Sequence, residues 1–151
     1  MARIRTVKPE LFRHEGLYDL EAELGLPVRL AWIGLFTIAD REGRFKWRPR
    51  AIKAEVLPYD EVDFSRVLDA LATRGFLVKY GNAGNEYGWI PTFTAHQIVN
   101  NRERASDSPA HDAPGSKVIE VSELLTRESR VTDAPSTPLE NYSGEGNGKE
   151  G

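Results

Sequence analysis

The chain has 151 residues, 40% of them hydrophobic, and a net charge of −3, which suits one folded domain followed by a tail. It contains no cysteine, which excludes disulfides, zinc–thiolate sites and a cysteine nucleophile. No apolar run approaches the roughly 18 residues of a membrane span, and the N-terminus lacks the apolar region of a secretory signal. We therefore expect a soluble, cytoplasmic protein with no membrane partner.

The acidic balance belongs to the C-terminal third of the chain. Residues 1–104 contain 16 Lys and Arg against 14 Asp and Glu, whereas the remainder is acidic and rich in Ser, Pro and Gly. Such a composition buries too little apolar surface to offset the entropy of ordering the chain. We expect a folded domain over residues 1–104 and a disordered tail or linker over 105–151. Within that tail, KVIEVSELLTRES (from Lys117) is either residual hydrophobicity or a short helix that docks on a partner.

Three helices are predicted in the folded part. The first begins near Pro27 and runs through LPVRLAWIGLFTIAD; it is apolar almost all round, which is typical of a central buried helix. REGRF then turns at Gly43 into a short extended segment, and a second helix opens at Pro49. A third helix runs through DEVDFSRVLDALATRG, with Asp63 as its N-cap and Gly75 at its C-terminal end. Its apolar residues at i, i+3, i+4 and i+7 are Phe64, Val67, Leu68 and Leu71.

Two β-rich runs follow the third helix. Phe76–Tyr80 and Tyr87–Phe93 flank GNAGNE, which indicates a hairpin with a Gly/Asn loop. Helix, short strand, helix, helix, hairpin is the element order of a winged helix-turn-helix. The predicted fold is therefore mainly α with a small β-hairpin, a winged helix-turn-helix that is followed by the disordered tail.

The sequence contains no pattern typical of catalysis or of a cofactor site. His14, His96 and His111 are far apart and show no metal-ligand spacing, and the nucleophile-elbow and phosphate-loop motifs are absent. Asp40 and Glu42 lie between arginines and are best interpreted as helix-end and turn residues. We expect no enzymatic activity, no metal and no cofactor.

Positive charge is concentrated in REGRFKWRPRAIK, residues 41–53. In a winged helix this segment lies close to the duplex backbone, where its cations could neutralise phosphates without reading sequence. The alternative is a solvated basic loop. Trp47 either stacks on a base of single-stranded DNA or packs at the junction of strand and helix. The candidate phosphate contacts are Arg44, Lys46, Arg48, Arg50 and Lys53.

Two further regions are candidates for DNA contact. The N-terminal ARIRT has the composition of a basic arm that lies in a minor groove or along a backbone, although packing of Ile4 and Leu11 is the alternative. The third helix would be the recognition helix, where Arg66 can pair with guanine, but Asp69 lies on the same face. The candidate residues are Arg3, Arg5 and Lys8 in the arm, and Arg66, Thr73 and Arg74 in the helix.

Four stretches together carry a family resemblance, in the order ARIRTVKPELF, WIGLFTIADREGRFKWRPRAIKAEVLPYD, LATRGFLVKY and IPTFTAHQIVNNRERAS. Over residues 1 to about 105 they resemble the replication-initiator, or replisome-organiser, proteins of phages and prophages. The resemblance implies a winged-helix domain that binds origin DNA, then a linker similar to SGEGNGKEG, then a region that engages the replicative helicase or its loader. The resemblance implies a DNA-contacting role for the matching positions Arg3, Arg5, Lys8, Gly43, Arg44, Pro49, Arg50 and Lys53. His96, Gln97, Asn100 and Arg102 match the exit motif, with no chemical role assigned to them.

The sequence therefore predicts a DNA-binding protein of phage replication that contacts duplex DNA, with single-stranded DNA as a further candidate, and recruits the replication machinery. Two alternatives stay open. A winged-helix transcriptional regulator would normally need a dimerisation element, and no heptad run supplies one. A protein-interaction module that does not touch DNA is favoured by the near-neutral hairpin loop and by Asp69.

Overall fold

The computed structural model describes residues 2–121, which form five α-helices, a 3₁₀ turn and a four-stranded antiparallel sheet. The elements in order are a 3₁₀ turn (Pro9–Arg13), α1 (Glu15–Leu24), α2 (Val28–Ile38), β1 (Arg44–Lys46), α3 (Pro49–Val56), α4 (Phe64–Thr73), β2 (Val78–Asn82), β3 (Asn85–Trp89), α5 (Phe93–His96) and β4 (Lys117–Ile119). The fold is thus mixed α/β rather than mainly α with a hairpin, because β1 and β4 extend the hairpin into a sheet.

The three predicted helices are α2, α3 and α4. Asp63 caps α4 as predicted, because its carboxylate accepts the backbone N–H of Ser65 at 3.1 Å. Gly75, with φ of +86°, ends that helix in the left-handed conformation. The helix α1 is absent from the sequence prediction; Nδ1 of His14 accepts the N–H of Leu17 at 3.2 Å and caps it.

The main core forms around α2 and α4. Both helices turn an apolar face inward, and each fully buried Leu, Val or Phe side chain contributes about 1.5–3 kcal/mol. The buried residues are Val28, Ala31, Trp32, Leu35 and Phe36 of α2, and Phe64, Val67, Leu68, Ala70 and Leu71 of α4. The first of the three predicted helices contributes five residues to this core, but it is not buried on all sides, since Leu30 is 56% exposed.

The sheet has the strand order β1-β3-β2-β4. Its hairpin turns at Ala83 and Gly84, whose φ angles of 52° and 82° are both positive, as a two-residue hairpin turn requires. Asn82 and Asn85 pair across the strands, so the predicted Gly/Asn loop is mostly part of the ladder.

The two faces of the sheet are both covered. On the inner face Phe45 lies opposite Gly88, and a Cβ at that glycine would lie 2.3 Å from Cζ of the ring. On the outer face Tyr80 and Tyr87 stack with ring centroids 5.4 Å apart. Both tyrosines are buried but do not belong to the main core cluster, so the outer face has its own small aromatic cluster.

Residues 105–121, called the strap below, cross this outer face and then join the edge of the sheet as β4. The hydroxyl of Tyr80 donates to the carbonyl of Pro109 at 2.6 Å, and β4 pairs antiparallel with β2. The sequence predicts a disordered tail from residue 105; in the structure the folded unit continues to Val121. Val118, which one interpretation placed in a helix, lies in β4. The rest of that predicted tail, residues 122–151, lies outside the described residues.

Candidate nucleic-acid interface

The N-terminal arm is bound to the domain by its arginines. Arg5 has a side chain only 4% exposed, and its guanidinium donates to both carboxylate oxygens of Glu103 at 2.7 Å. It also donates to the carbonyls of Phe36 and Ala39. Arg3 adds a contact of 3.1 Å to the same carboxylate. The guanidinium of Arg5 therefore holds the pKa of Glu103 below its usual range, and Arg5 is occupied within the protein.

A glutamine provides the second attachment of the arm. Oε1 of Gln97 accepts the backbone N–H and the hydroxyl of Thr6, both at 3.0 Å, and its Nε2 donates to the Thr6 carbonyl at 2.9 Å. Lys8 stays exposed and, with Thr6 and Gln97, lines a cavity of about 420 Å³ whose walls include Trp32 and Phe93. Of the three predicted arm cations, Lys8 is exposed, whereas Arg3 and Arg5 are half-buried.

Two of the predicted recognition residues on α4 are engaged within the chain. Arg74 forms an ion pair with Glu23, and Oγ1 of Thr73 bonds to a carbonyl of its own helix at 2.8 Å and to that of Val121 at 3.1 Å. Arg66 is half-buried. The base-reading role predicted for this helix therefore depends mainly on Arg66.

The segment from β1 into α3 alternates between the core and the solvent. Phe45 and Trp47 are buried, whereas Lys46, Arg48 and Arg50 are exposed. Within residues 2–121 none of these three cations forms an ion pair. We call Lys46, Arg48 and Arg50 the basic turn. It presents three neighbouring, solvated positive charges.

The other two cations predicted in this stretch are partly occupied. The guanidinium of Arg44 donates to the carbonyl of Ser108 in the strap at 3.2 Å. Nζ of Lys53 donates to the carbonyl of Leu57 at 3.2 Å, which satisfies a carbonyl at the C-terminal end of α3. Both side chains are half-buried, so they add less accessible charge than the basic turn.

Trp47 packs at the junction of strand and helix, one of its two predicted roles. Its ring is nearly parallel to that of Phe45, at an interplanar angle of 16°, and Nζ of Lys79 lies 4.8 Å from its ring centroid. The ammonium of Lys79 also pairs with Glu86 at 3.5 Å. Trp47 is therefore a core residue whose indole ring also makes a cation–π contact with Lys79.

The described part of the chain holds no group of three or more His, Cys, Asp or Glu side chains that could bind a metal ion. Asp40 is a turn residue, because its carboxylate accepts the backbone N–H groups of Glu42 and Arg44 at 2.9 and 3.0 Å. No helix in that part is long and apolar enough to cross a membrane. The absence of enzymatic activity and of a cofactor stays a prediction.

The sequence reasoning missed the partners that anchor the arm. Glu103 and Arg5 are separated by 98 positions, and no spacing rule connects them. One local signal was available, since Glu103 is the single acid among the basic residues of the exit motif. The strap was missed because its Ser, Pro and Gly content is typical of disorder.

Comparisons of the chain with known protein families, with curated proteins and with solved structures found no match.

Proposed function

We propose that residues 2–121 form a winged helix-turn-helix that docks on duplex DNA through the basic turn. The element order α2, β1, α3, α4, β2, β3 and the strand order β1-β3-β2 support this fold. In that arrangement α4 is the recognition helix and the β2–β3 turn is the wing. The helices α1 and α5, β4 and the strap are additions to it.

The main support for duplex binding is the basic turn itself. Most arginines around it are paired or hydrogen-bonded within the chain, whereas Lys46, Arg48 and Arg50 are exposed at every second position of the segment. They flank the N-terminal end of α3, which no side chain caps and which carries a partial positive charge. Such a surface suits phosphate oxygens and gives affinity without sequence information.

The biological process is proposed from the family resemblance. A role in phage or prophage DNA replication, with the replicative helicase or its loader as a partner, agrees with a domain that holds the duplex backbone. Arg66 on α4 is the candidate for sequence reading, because an Arg in the major groove pairs with guanine. A transcriptional regulator would use the same contacts.

One observation favours a second candidate, a protein-interaction module. The segment between α3 and α4 exposes 95% of Tyr59 beside Asp60 and Glu61. Carboxylates repel phosphates, whereas an exposed aromatic ring with acidic neighbours suits a basic protein surface.

The experiment is a salt titration of duplex binding by fluorescence anisotropy. Three neutralised phosphates give a slope of log K against log salt of about −2.7. Arg48→Glu with Arg50→Glu is expected to weaken binding to all sequences alike and to reduce the slope by about 1.8. The matched control is Arg13→Glu with Arg102→Glu, which changes the net charge equally at two other exposed positions.

Three outcomes contradict the proposal in different ways. An equal loss in the control variant would mean that net charge, not the basic turn, drives binding. If the Arg48 and Arg50 variant lost binding to one DNA sequence but kept binding to others, these residues would be reading bases. No duplex binding at low salt would exclude both DNA roles and favour the protein-interaction module.

A further inference from the structure

We propose that the outer face of the sheet is a binding site for single-stranded nucleic acid and that the strap is its displaceable cover. This site uses different residues from the basic turn, except for Lys46, and does not require that the basic turn binds duplex DNA.

The outer face combines aromatic rings with cations. The strand register places Arg44 opposite Trp89 and Lys46 opposite Tyr87, while Tyr80 pairs with Tyr87 on the other side. Three aromatic side chains and two cations therefore share one face of three adjacent strands. Single strands are held in this way, with bases stacked on aromatic rings and phosphates beside Lys or Arg.

The strap already makes contacts of the kind that a nucleotide would make. The imidazole of His111 lies on Trp89 with ring centroids 4.0 Å apart and an interplanar angle of 12°, the geometry of a stacked base. Strap carbonyls accept hydrogen bonds from the guanidinium of Arg44 and the hydroxyl of Tyr80. A planar ring and oxygen acceptors on this face are therefore exchangeable for those of a nucleic acid.

The strap is held by few apolar contacts, which makes displacement feasible. None of its residues belongs to the main core cluster, and Val118, its central β4 residue, is 55% exposed. The β4 strand has only three residues. Much of the attachment consists of polar contacts, among them Nδ2 of Asn82 to Oγ of Ser116 at 2.9 Å. Polar contacts exchange readily for those of a ligand or water, so release leaves the helical core intact.

An engineered disulfide that holds the strap on the sheet tests the proposal directly, because the chain contains no cysteine of its own. Gly81→Cys with Lys117→Cys places two thiols at directly paired positions of β2 and β4, where the Cα atoms of an antiparallel pair lie about 4.5–5.5 Å apart, within disulfide range. The probe is a labelled oligothymidylate of about 12 nucleotides, long enough for one single-strand site. Oligouridylate of the same length separates DNA from RNA. We expect the oxidised protein to bind at least tenfold more weakly than the same protein after reduction.

Two substitutions test the stacking platform. His111→Ala removes the competing ring and should tighten oligonucleotide binding about three- to tenfold. Adding Trp89→Ala to this variant should weaken binding at least about fivefold, since the base then loses its stacking partner. Duplex binding through the basic turn should stay unchanged in the Trp89→Ala variant, which separates this proposal from the proposed function.

Equal oligonucleotide binding by the oxidised and reduced double-cysteine variant would overturn the proposal. A His111→Ala variant whose oligonucleotide affinity does not increase would also overturn it. The oxidised and reduced forms have one sequence, so a folding defect of the variant cannot produce the expected difference between them. Oligonucleotide binding that disappears with Arg48→Glu and Arg50→Glu but not with Trp89→Ala would assign single strands to the basic turn instead.

Discussion

Replacing Glu103 by Gln removes one negative charge and keeps the shape of the side chain. In the native protein this carboxylate makes two hydrogen bonds of 2.7 Å to Arg5 and a third contact of 3.1 Å to Arg3. The variant leaves the Arg5 guanidinium in a site where only 4% of its side chain reaches solvent. That buried charge then has no adjacent carboxylate, so the arm is expected to detach more easily.

The magnitude follows from the burial of the pair. Removing one partner of a buried ion pair costs about 3–5 kcal/mol. Two features lower that figure here, since Arg5 keeps the carbonyls of Phe36 and Ala39 and Gln still offers one acceptor. We expect a loss of about 2–3 kcal/mol in the free energy of unfolding. For a domain of this size that corresponds to a melting temperature lower by about 8–12 °C.

Thermal and urea unfolding followed by circular dichroism at pH 7 give the measurement. The matched control is Glu21→Gln. This carboxylate accepts two guanidinium hydrogen bonds of Arg29 on one oxygen and the Arg29 backbone N–H on the other, and the Arg29 side chain is 43% exposed. Solvent screens that pair, so its loss should be clearly smaller. Equal losses in the two variants would refute the assignment of Arg5 and Glu103 as a buried anchor.

The same pair predicts a dependence on pH. The pKa of Glu103 is lowered in the folded protein, first of all by its hydrogen bonds to Arg5. The stability that the charged Glu103 carboxylate contributes is therefore fully present above its unfolded pKa of about 4.3. This stability is lost as the pH falls through the lower pKa of the folded protein. The stability difference between native protein and Glu103→Gln should narrow below about pH 4. A constant difference across this range would contradict the mechanism.

Two further predictions concern the sheet. Gly88→Ala should cost about 1–3 kcal/mol or more, because the added Cβ would lie 2.3 Å from the Phe45 ring, whereas Gly81→Ala, with its nearest contact at 3.5 Å, should be tolerated in the same urea titration. Burial raises the pKa of Tyr80 to about 12. The stability that its neutral phenol contributes is therefore present below the unfolded pKa of about 10 and is lost as the pH rises towards 12. Tyr80→Phe should show a shallower alkaline decline, and an identical decline would show that another group controls it.

The helices were predictable because their signals are local. The apolar periodicity of α4, its cap at Asp63 and the glycine that follows it lie within about a dozen residues, and the structure has all three. The helix α1 offered a similar signal, with Leu17 and Leu20 buried and a left-handed glycine at Gly25, but its many acidic residues obscured the pattern.

The strap and the arm were not predictable in this way, because their stabilisation comes from distant partners. Nothing in the local sequence around His111 indicates that its ring lies on Trp89. Arg5 has the composition of a DNA-contacting arm, and only the position of Glu103 in space shows that its charge is used internally. Composition sets the probability of order for an isolated segment, but it contains no information about a surface that the segment can cover.

In a domain whose charges nearly balance, affinity for a polyanion depends on which cations remain unpaired. Within residues 2–121 most arginines have a carboxylate or carbonyl partner, whereas the three neighbouring cations of the basic turn form no ion pair. Lys46 belongs to the basic turn and, through the alternation of β1, also to the outer face of the sheet. If the strap leaves, Arg44 loses its bond to the Ser108 carbonyl and becomes a solvated cation two positions from Lys46. Strap release would therefore expose the aromatic rings and also enlarge the basic surface, so that the two proposed sites become one continuous surface joined at β1.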